Sequence, residues 1–318
     1  MKRGLKIFLI LILFIASLAI VALVWIIPIS TLRINSSFTS LFLSDHSTDT
    51  LSKPIFFGIE SNRVEEFSFI TRDGIRIAAL RVSAKEGANK KGTIVFLHGI
   101  SRAKECVYPM ASYFSERGYD CFAMDFRSHG RSEGDLITYG HLERVDVKFF
   151  LDYIYDHYGL SEKLVLWGQS MGAAVAFLVA ESDSRVNLLV SESTYASFNS
   201  VTEDYFSYIT GFRSTFAQSI ILKSVSRISG LNPDEISPLN AAKNIKIPVL
   251  IAHGKLDNKM NPLYAQELFS ALGSDRCRIV MIPDANHLDL WEQGGENYFR
   301  EVEQFIDSNN VKILSYDR

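Results

Sequence analysis

The sequence has few cysteines and no metal-ligand spacing among them. Only Cys106, Cys121 and Cys277 occur in 318 residues. A disulfide framework needs more cysteines than this, even in a compartment that oxidises them. None of the three lies in a motif that binds zinc or activates a thiol. We therefore interpret them as small, buried apolar residues.

Basic runs are also absent. Lys2, Arg3 and Lys6 precede the first acidic residue, Asp45, and the rest of the chain holds 30 basic and 36 acidic residues. Nucleic acid is bound mainly by neutralising its phosphates with Lys and Arg. A mildly acidic chain without a basic run argues against a nucleic-acid partner.

A long apolar run is present near the N-terminus. From Ile7 to Ile29 every residue except Ser17 and Pro28 is apolar, and a helix of this length crosses a hydrocarbon core of about 30 Å. Three basic residues precede the run, whereas Arg33 is the only one in the twenty residues after it. The positive-inside rule then predicts a single-pass membrane protein with a cytoplasmic N-terminus and an extracytoplasmic C-terminal domain. A cleaved signal peptide, with Ser17-Leu18-Ala19 as its small-residue site, stays open as an alternative.

The chain divides into three predicted parts. Residues 1–30 form the N-terminus and the anchor helix, and residues 31–60, rich in Ser and Thr, form a linker. Residues 61–318 have the length of one large α/β domain. Within it, residues 194–230 are too long for a simple connection and carry aromatic residues at helical spacing, which predicts a small helical lid.

Apolar runs of strand length alternate with longer amphipathic stretches from residue 66 onward, the pattern typical of βαβ units. The short turn Arg72-Asp73-Gly74 predicts an antiparallel hairpin at the sheet edge. The fold class is therefore α/β, with a mostly parallel eight-stranded sheet and helices on both faces. The predicted strands are Glu66–Thr71, Arg76–Val82, Thr93–Leu97, Cys121–Asp125, Leu164–Trp167, Val186–Val190, Val249–Ala252 and Arg278–Ile282. Two helical faces are predicted, one from Leu142, Val145, Phe149 and Tyr153 and one from Tyr298, Val302, Phe305 and Ile306.

The strongest motif is the pentapeptide Gly168-Gln169-Ser170-Met171-Gly172. It follows the predicted strand Leu164–Trp167 and opens a helix of small residues, the context that a nucleophile elbow requires. The serine of such an elbow stands at a strained turn, so small residues are needed two positions away on either side. Gly168 and Gly172 meet that need.

A serine hydroxyl requires a histidine base and a carboxylate that fixes the tautomer of the histidine. In a chain with a nucleophile elbow, the carboxylate follows the serine along the sequence and the histidine follows the carboxylate. His287, in the loop after the last predicted strand, is favoured over His253, which ends a strand. Asp257, in the loop after the seventh predicted strand, is favoured as the acid. Glu192, after the sixth strand, stays open as a competitor.

Two backbone N–H groups must meet the oxyanion that forms when the serine attacks. Met171, directly after the serine, is assigned as one donor. Ile100, in the loop His98-Gly99-Ile100-Ser101 after the third predicted strand, is assigned as the other. We interpret His98 as a structural residue that holds this loop.

Five segments together carry a family resemblance. They are His98-Gly99, Asp125-x-Arg127-x-x-Gly130-x-Ser132, Gly168-Gln169-Ser170-Met171-Gly172, Pro248-x-Leu250 through Asp257, and Asn286-His287. On these motifs the chain from about Glu66 to Asp307 resembles the α/β-hydrolase family, in the branch of serine aminopeptidase-like and monoglyceride-lipase-like enzymes. The resemblance implies hydrolysis of an ester, thioester or amide through a Ser-His-Asp triad, with no cofactor and no metal.

From these observations we expect a membrane-anchored carboxylesterase or lipase-like enzyme. Its substrate would be a small-molecule or lipid-like acyl ester, and lid aromatics such as Phe206 and Phe212 would line an apolar channel to Ser170. A peptidase, amidase or thioesterase of the same fold stays open as an alternative. So does an inactive binding protein tethered to a membrane. The sequence indicates no particular protein partner.

Overall fold

The computed structural model of the protein describes residues 2–33, 58–160 and 163–309. Most of the predicted linker, residues 34–57, lies outside the described residues. All eight predicted strands are present, and the two at Arg76–Val82 and Arg278–Ile282 have the predicted bounds. The others differ from the prediction by one or two residues at one or both ends.

The strands and helices alternate along most of the domain. The strands are Val64–Ile70 (β1), Arg76–Val82 (β2), Gly92–Leu97 (β3), Tyr119–Met124 (β4), Leu164–Gln169 (β5), Leu188–Glu192 (β6), Val249–Gly254 (β7) and Arg278–Ile282 (β8). The helices are Lys2–Val21 (α1), Ile27–Leu32 (α2), Tyr108–Ser115 (α3), Glu143–Tyr158 (α4), Met171–Ala180 (α5), Phe198–Thr210 (α6), Thr215–Ser229 (α7), Pro238–Asn244 (α8), Leu263–Ala271 (α9) and Leu290–Ser308 (α10). A π-helical turn at Ala22–Ile26 separates α1 from α2.

The eight strands form one sheet in the order β1-β2-β4-β3-β5-β6-β7-β8. β1 pairs with β2 as the predicted antiparallel edge hairpin, and β2 is also antiparallel to β4. Every other pair is parallel. The prediction of a mostly parallel eight-stranded sheet is confirmed.

Each face of the sheet is covered by helices around its own apolar cluster. Alternate residues of β3 point to opposite faces, so Val95 lies in one cluster and Phe96 in the other. The predicted face of α10 is buried as expected. The predicted face of α4 is wrong, because Val145 is exposed and the helix instead buries Val147, Phe150, Leu151 and Ile154. The apolar face that α4 buries is therefore rotated around the helix axis relative to the predicted face.

The parallel strands bring their carboxyl ends to the same edge of the sheet. The loops that follow β3, β5, β7 and β8 therefore meet there, as ligand-binding loops of open α/β sheets do. These four loops carry the Ile100 segment, Ser170, Asp257 and His287.

The predicted membrane anchor is not what the structure shows. The apolar run changes from α-helical to π-helical geometry at Ala22–Ile26, and its residues Leu23 and Ile27 pack against the core of the domain. Just after the run, the Tyr139 hydroxyl donates to the Thr31 carbonyl at 2.8 Å, and the Ile137 N–H donates to the Leu32 carbonyl at 2.9 Å. Across residues 2–33, 58–160 and 163–309, no helix has both the length and the apolar character to span a membrane. The predicted single-pass localisation, with an extracytoplasmic domain, is wrong.

Two helices occupy the predicted lid segment. Ser197 caps the start of α6 by accepting from the Ser200 N–H, and the helix ends at Gly211 in the left-handed conformation. Ser214 caps α7 in the same manner, and Gly230 ends it. Short polar caps and terminal glycines thus divide the segment into two helices.

His98 holds the loop that follows β3. Its Nδ1 donates to the Gly99 carbonyl at 2.7 Å, and its Nε2 accepts the Phe126 N–H at 3.0 Å. An imidazolium could not accept that N–H, so this arrangement requires the neutral ring. Burial lowers the pKa of His98 to about 4 and the pKa of the adjacent His129 to about 3. The structural role predicted for His98 agrees with these contacts.

The docking of α2 can be tested by truncating a buried side chain. Leu32 is fully buried, so Leu32→Ala should lower the free energy of unfolding of the full-length protein by about 2–5 kcal/mol. Ile26, on the preceding turn, is 47% exposed, and Ile26→Ala should change it by less than about 0.5 kcal/mol. Urea denaturation measures both. If both substitutions changed the free energy of unfolding by an equally small amount, the packing of α2 on the domain would be contradicted.

The buried histidines make the fold sensitive to mild acid. An unfolded histidine has a pKa near 6.5, so below that pH the unfolded chain binds more protons than the folded one, and stability falls as the pH falls. His98 alone should cost about 2 kcal/mol between pH 7 and pH 5. Urea denaturation at both pH values should show this loss.

Two histidine variants supply the comparison. His98→Asn should reduce the difference between pH 7 and pH 5 by about 2 kcal/mol, whereas His157→Asn, at an exposed position, should leave it unchanged. If His98→Asn lost as much stability between pH 7 and pH 5 as the wild type, His98 would not be the neutral, buried ring described above.

Candidate active site

Ser170 stands at the turn between β5 and α5 in a strained backbone conformation, with φ 51° and ψ −115°. Such a conformation costs on the order of 1–3 kcal/mol and needs support from its surroundings. The flanking glycines supply the necessary room. A Cβ at Gly168 would lie 2.3 Å from the Gly172 carbonyl oxygen, and a Cβ at Gly172 would lie 2.1 Å from the Leu97 carbonyl oxygen. Neither position can carry a side chain without moving the backbone.

Three side chains form a continuous hydrogen-bonded chain at this edge of the sheet. The Ser170 Oγ lies 2.9 Å from the Nε2 of His287, and the Nδ1 of His287 lies 2.8 Å from the Oδ2 of Asp257. Ser170 is 2% exposed, and the other two residues are each 7% exposed. The structure thus brings together the serine, histidine and aspartate that were selected from the sequence.

The loop that carries His287 is held close to the end of β7. A Cβ at Gly254 would lie 2.3 Å from the Ala285 carbonyl oxygen and 2.4 Å from the Asn286 carbonyl oxygen. Glycine at this position therefore allows the two loops to touch. This contact sets the distance between Asp257 and His287.

Four nitrogen atoms lie within 3.0 Å of the Asp257 carboxylate oxygens. Its Oδ1 accepts the backbone N–H groups of Lys259 at 2.9 Å and Met260 at 2.8 Å. Its Oδ2 is shared by His287 and by the Nε2 of His253, which lies 3.0 Å away. Burial alone raises the pKa of Asp257, but the hydrogen bonds from His253 and His287 outweigh it and hold the pKa well below its usual range. The carboxylate is therefore ionised.

Glu192, the competing acid, is engaged elsewhere. It is buried, and its carboxylate accepts from the Gln169 side chain at 2.7 Å and from the Tyr298 hydroxyl. Burial raises its pKa. The contacts place Glu192 under the β5 turn, where it orients Gln169, and give it no bond to His287.

The two assigned oxyanion donors lie beside Ser170. Met171 is the first residue of α5, so its N–H belongs to the first turn, whose donors have no partner within the helix. The loop of Ile100 passes the serine closely, since a Cβ at Gly99 would lie 3.4 Å from the Ser170 Cβ. Both N–H groups thus belong to segments that adjoin the serine.

The segment after β4 forms a buried polar network. The Asp125 carboxylate accepts from the Lys104 ammonium at 3.0 Å and from the backbone N–H of Arg131 at 2.9 Å. Arg127 pairs through two hydrogen bonds with Asp146 of α4, both at 2.7 Å. These contacts hold the segment between β4 and α4 in place. Among the described residues, no three His, Cys, Asp or Glu side chains are grouped as a metal site.

Three cavities lie near these residues. A polar cleft of about 400 Å³ includes His287, Asn258 and Lys259, and a second of about 310 Å³ includes Asp257. A narrow, mainly apolar cavity of about 50 Å³ is walled by α2, α6 and α7. Its lining includes Ile27 and Phe206 but no member of the hydrogen-bonded triad.

Tyr205 contacts the apolar cavity and also interacts with the triad. It lines the cavity, and burial together with the negative charge of Asp257 raises the pKa of its phenol. Phe212, predicted to line a channel with Phe206, is instead 58% exposed and contacts only the edge of the Phe206 ring among the described aromatic pairs. The expectation for Phe212 is therefore wrong.

His253 is the site residue that sequence reasoning passed over. It was interpreted as a strand-end residue with local packing, yet its ring reaches Asp257 four positions later. The available signal was the spacing in His253-Gly254-Lys255-Leu256-Asp257. A tight turn there returns the chain toward the strand end, because the Asp257 N–H bonds the Gly254 carbonyl.

Comparison with known sequences gives one family and several distant relatives. Residues 88–235 match the family described as serine aminopeptidase, S33. Protein bem46 of Schizosaccharomyces pombe is 26% identical over 268 residues, which cover 83% of each chain. YfhR of Escherichia coli K12 is 25% identical over 256 residues, covering 79% of this chain and 83% of its own.

Comparison with solved structures shows the fold. An esterase of Pyrococcus furiosus, Pf2001, superposes with a TM-score of 0.65 at 23% identity, covering 80% of this chain and 94% of its own. An acylaminoacyl peptidase of Pyrococcus horikoshii superposes with a TM-score of 0.59 at 18% identity, covering 80% of this chain and 42% of its own. The chain therefore has the α/β-hydrolase fold, and over residues 88–235 it is similar to the serine aminopeptidase S33 family.

Proposed function

We propose that the protein is a serine hydrolase that cleaves an acyl ester through a covalent acyl-enzyme. The observation that carries the proposal is the hydrogen-bonded chain from Ser170 through His287 to Asp257. A serine hydroxyl is activated when a histidine can take its proton and a carboxylate fixes the other ring nitrogen as a donor. The two distances, 2.9 and 2.8 Å, are those that this chemistry requires.

In the first half of the proposed reaction, Ser170 Oγ attacks the acyl carbonyl carbon while His287 Nε2 takes the hydroxyl proton. The carbonyl π electrons move onto its oxygen, where the N–H groups of Met171 and Ile100 stabilise the charge. The intermediate collapses when the bond from carbon to the leaving oxygen breaks. His287 then gives its proton to the departing alcohol, and the acyl group remains on Ser170.

In the second half, water repeats the attack on the acyl-enzyme. His287 takes a proton from the water, the carbon bond to Ser170 Oγ breaks, and the proton passes to Ser170 as the acid leaves. Asp257 stays ionised throughout and stabilises the imidazolium that forms twice in each cycle.

An ester substrate is favoured by two observations. A solved neighbour is an esterase, and the apolar cavity, in which an acyl chain could lose its contact with water, is lined by Tyr205, which also interacts electrostatically with Asp257. A peptidase or amidase is the second candidate, because the matching family is described as serine aminopeptidase and another neighbour is titled an acylaminoacyl peptidase. Parallel assays on acyl esters and on aminoacyl amides separate the two.

The triad proposal predicts which substitutions abolish hydrolysis. By analogy with serine proteases, Ser170→Ala should lower kcat by a factor on the order of 10⁶, and Asp257→Asn by a factor on the order of 10⁴. Ser193→Ala is the matched control, because Ser193 is also buried at a strand end with positive φ. Steady-state hydrolysis of an activated ester measures all three.

The same assay tests the choice of acid. Glu192→Gln keeps the side-chain shape and should reduce kcat far less than Asp257→Asn. Turnover close to wild type in Ser170→Ala would overturn the mechanism. A severe loss in Glu192→Gln with a mild one in Asp257→Asn would move the acid to Glu192.

The apolar cavity predicts a limit on acyl length. A volume of about 50 Å³ holds roughly four water-sized groups, so kcat/KM should rise about fourfold per methylene up to an acyl chain of about four carbons, then level. Phe206→Ala should move the plateau to longer chains because Phe206 lines the cavity. Phe212→Ala, at an exposed ring outside the lining, is the control and should leave the profile unchanged.

A series of esters from two to ten carbons provides the measurement. If kcat/KM did not depend on acyl length, or if the plateau moved identically in both phenylalanine variants, the cavity would not be the binding site of the acyl chain.

A further inference from the structure

Two imidazole rings share one oxygen of the Asp257 carboxylate. His287 lies 2.8 Å from Oδ2 through its Nδ1, and His253 lies 3.0 Å from the same oxygen through its Nε2. His253 is fully buried at the end of β7. A single carboxylate oxygen thus joins the histidine that faces Ser170 to a second histidine behind it.

The neighbours of His253 decide where its proton lies. Its Nε2 is 3.0 Å from the Asp257 carboxylate and 3.3 Å from the Met260 carbonyl oxygen, and both of these groups only accept hydrogen bonds. The Nε2 must therefore carry the proton, with the Met260 carbonyl as its hydrogen-bond acceptor and the Asp257 oxygen in close contact. The Nδ1 is buried and has no hydrogen-bond partner among the described residues.

We infer that His253 is a positioning residue for the proposed reaction, acting on His287 through Asp257. Its Nε2 is one of four nitrogen atoms within 3.0 Å of the carboxylate oxygens, and among the described residues only it and the Nδ1 of His287 belong to side chains. It fixes the orientation of Oδ2 toward His287 and takes up part of the negative charge. The inference rests on the proposed function, since it assigns His253 a role in that same triad.

The charge that His253 removes from Oδ2 has a consequence for His287. A carboxylate with one neighbouring N–H fewer stabilises the His287 imidazolium more strongly. Because the reaction needs neutral His287 as the base, the acid limb of kcat/KM would then move to higher pH. A residue that only fills space at the end of β7 would leave that limb in place.

Other charged and titratable groups surround Asp257 and must be held constant. Tyr205 of α6 contacts it electrostatically, and the polar cleft beside it includes Asp204, Arg213 and Lys259. None of these groups changes when only position 253 is substituted. Differences between variants at that position therefore report on His253.

Two amide substitutions make a matched pair. The side-chain nitrogen of Gln can occupy the place of the histidine Nε2, whereas that of Asn can occupy only the place of Nδ1 and cannot reach Oδ2. His253→Gln should keep at least about a third of the wild-type kcat/KM and an unchanged acid limb. His253→Asn should lose about tenfold in kcat and move the acid limb up by about one pH unit.

The measurements are pH profiles of kcat and kcat/KM for an activated ester, on full-length protein, with thermal unfolding as a check on folding. Equal behaviour of the two variants, or an unmoved acid limb in a folded His253→Asn, would overturn the inference. If wild type hydrolyses no ester or amide, the proposed function itself fails. That outcome is distinct, because it appears before any variant is compared.

A second measurement does not depend on whether a variant folds. In wild-type protein labelled with ¹⁵N-histidine, the Nε2 of His253 should carry a proton, because both of its neighbours are acceptors. A spectrum that places the proton on Nδ1 would overturn the inference, because His253 could not then donate to Asp257.

Discussion

The close approach of the β5 turn to the end of β3 is the contact on which the active site depends. Gly172 lies against the carbonyl oxygens of Leu97 and His98, and no larger residue fits there. This contact supports Ser170 in its strained conformation and brings the loop of Ile100 beside it. The neutral His98 ring secures that loop from the other side through its bonds to Gly99 and Phe126.

Electrostatics in the site centre on a single buried carboxylate. Asp257 is costly to bury as an anion, and the structure offsets that cost with two backbone N–H donors and two imidazole donors. The glycine at position 254 lets the His287 loop approach closely enough for one of these bonds. The turn after β7 also places the Nε2 of His253 3.0 Å from the Asp257 carboxylate. The turn after β7 therefore determines how the Asp257 carboxylate is held beside His287.

Much of this arrangement was predictable from local sequence signals. The alternation of short apolar runs and amphipathic stretches predicted the sheet, and the pentapeptide around Ser170 predicted the turn, because both depend on residues close together in the chain. His287 and Asp257 followed from their positions after β8 and β7. The second contact of Asp257 was missed, since the path of the His253 ring depends on a turn that spacing alone does not specify.

Two other differences have the same origin in tertiary packing. The buried stripe of α4 is rotated from the predicted one because the sheet, not the periodicity of the helix, selects which apolar residues are covered. The apolar run near the N-terminus predicted a membrane anchor, but hydrophobicity does not reveal what will cover a segment. In the structure Leu23 and Ile27 of the run pack against the domain, as does the buried Leu32 just after it.

The central claim is that Ser170 is a nucleophile activated by His287. Mass spectrometry after treatment with a fluorophosphonate tests it most directly, because the reagent forms a stable bond with an activated serine. We expect one adduct on Ser170 in the wild-type protein and none in His287→Ala at the same reagent concentration. An adduct on a different serine, or equal labelling of Ser170 without His287, would contradict it.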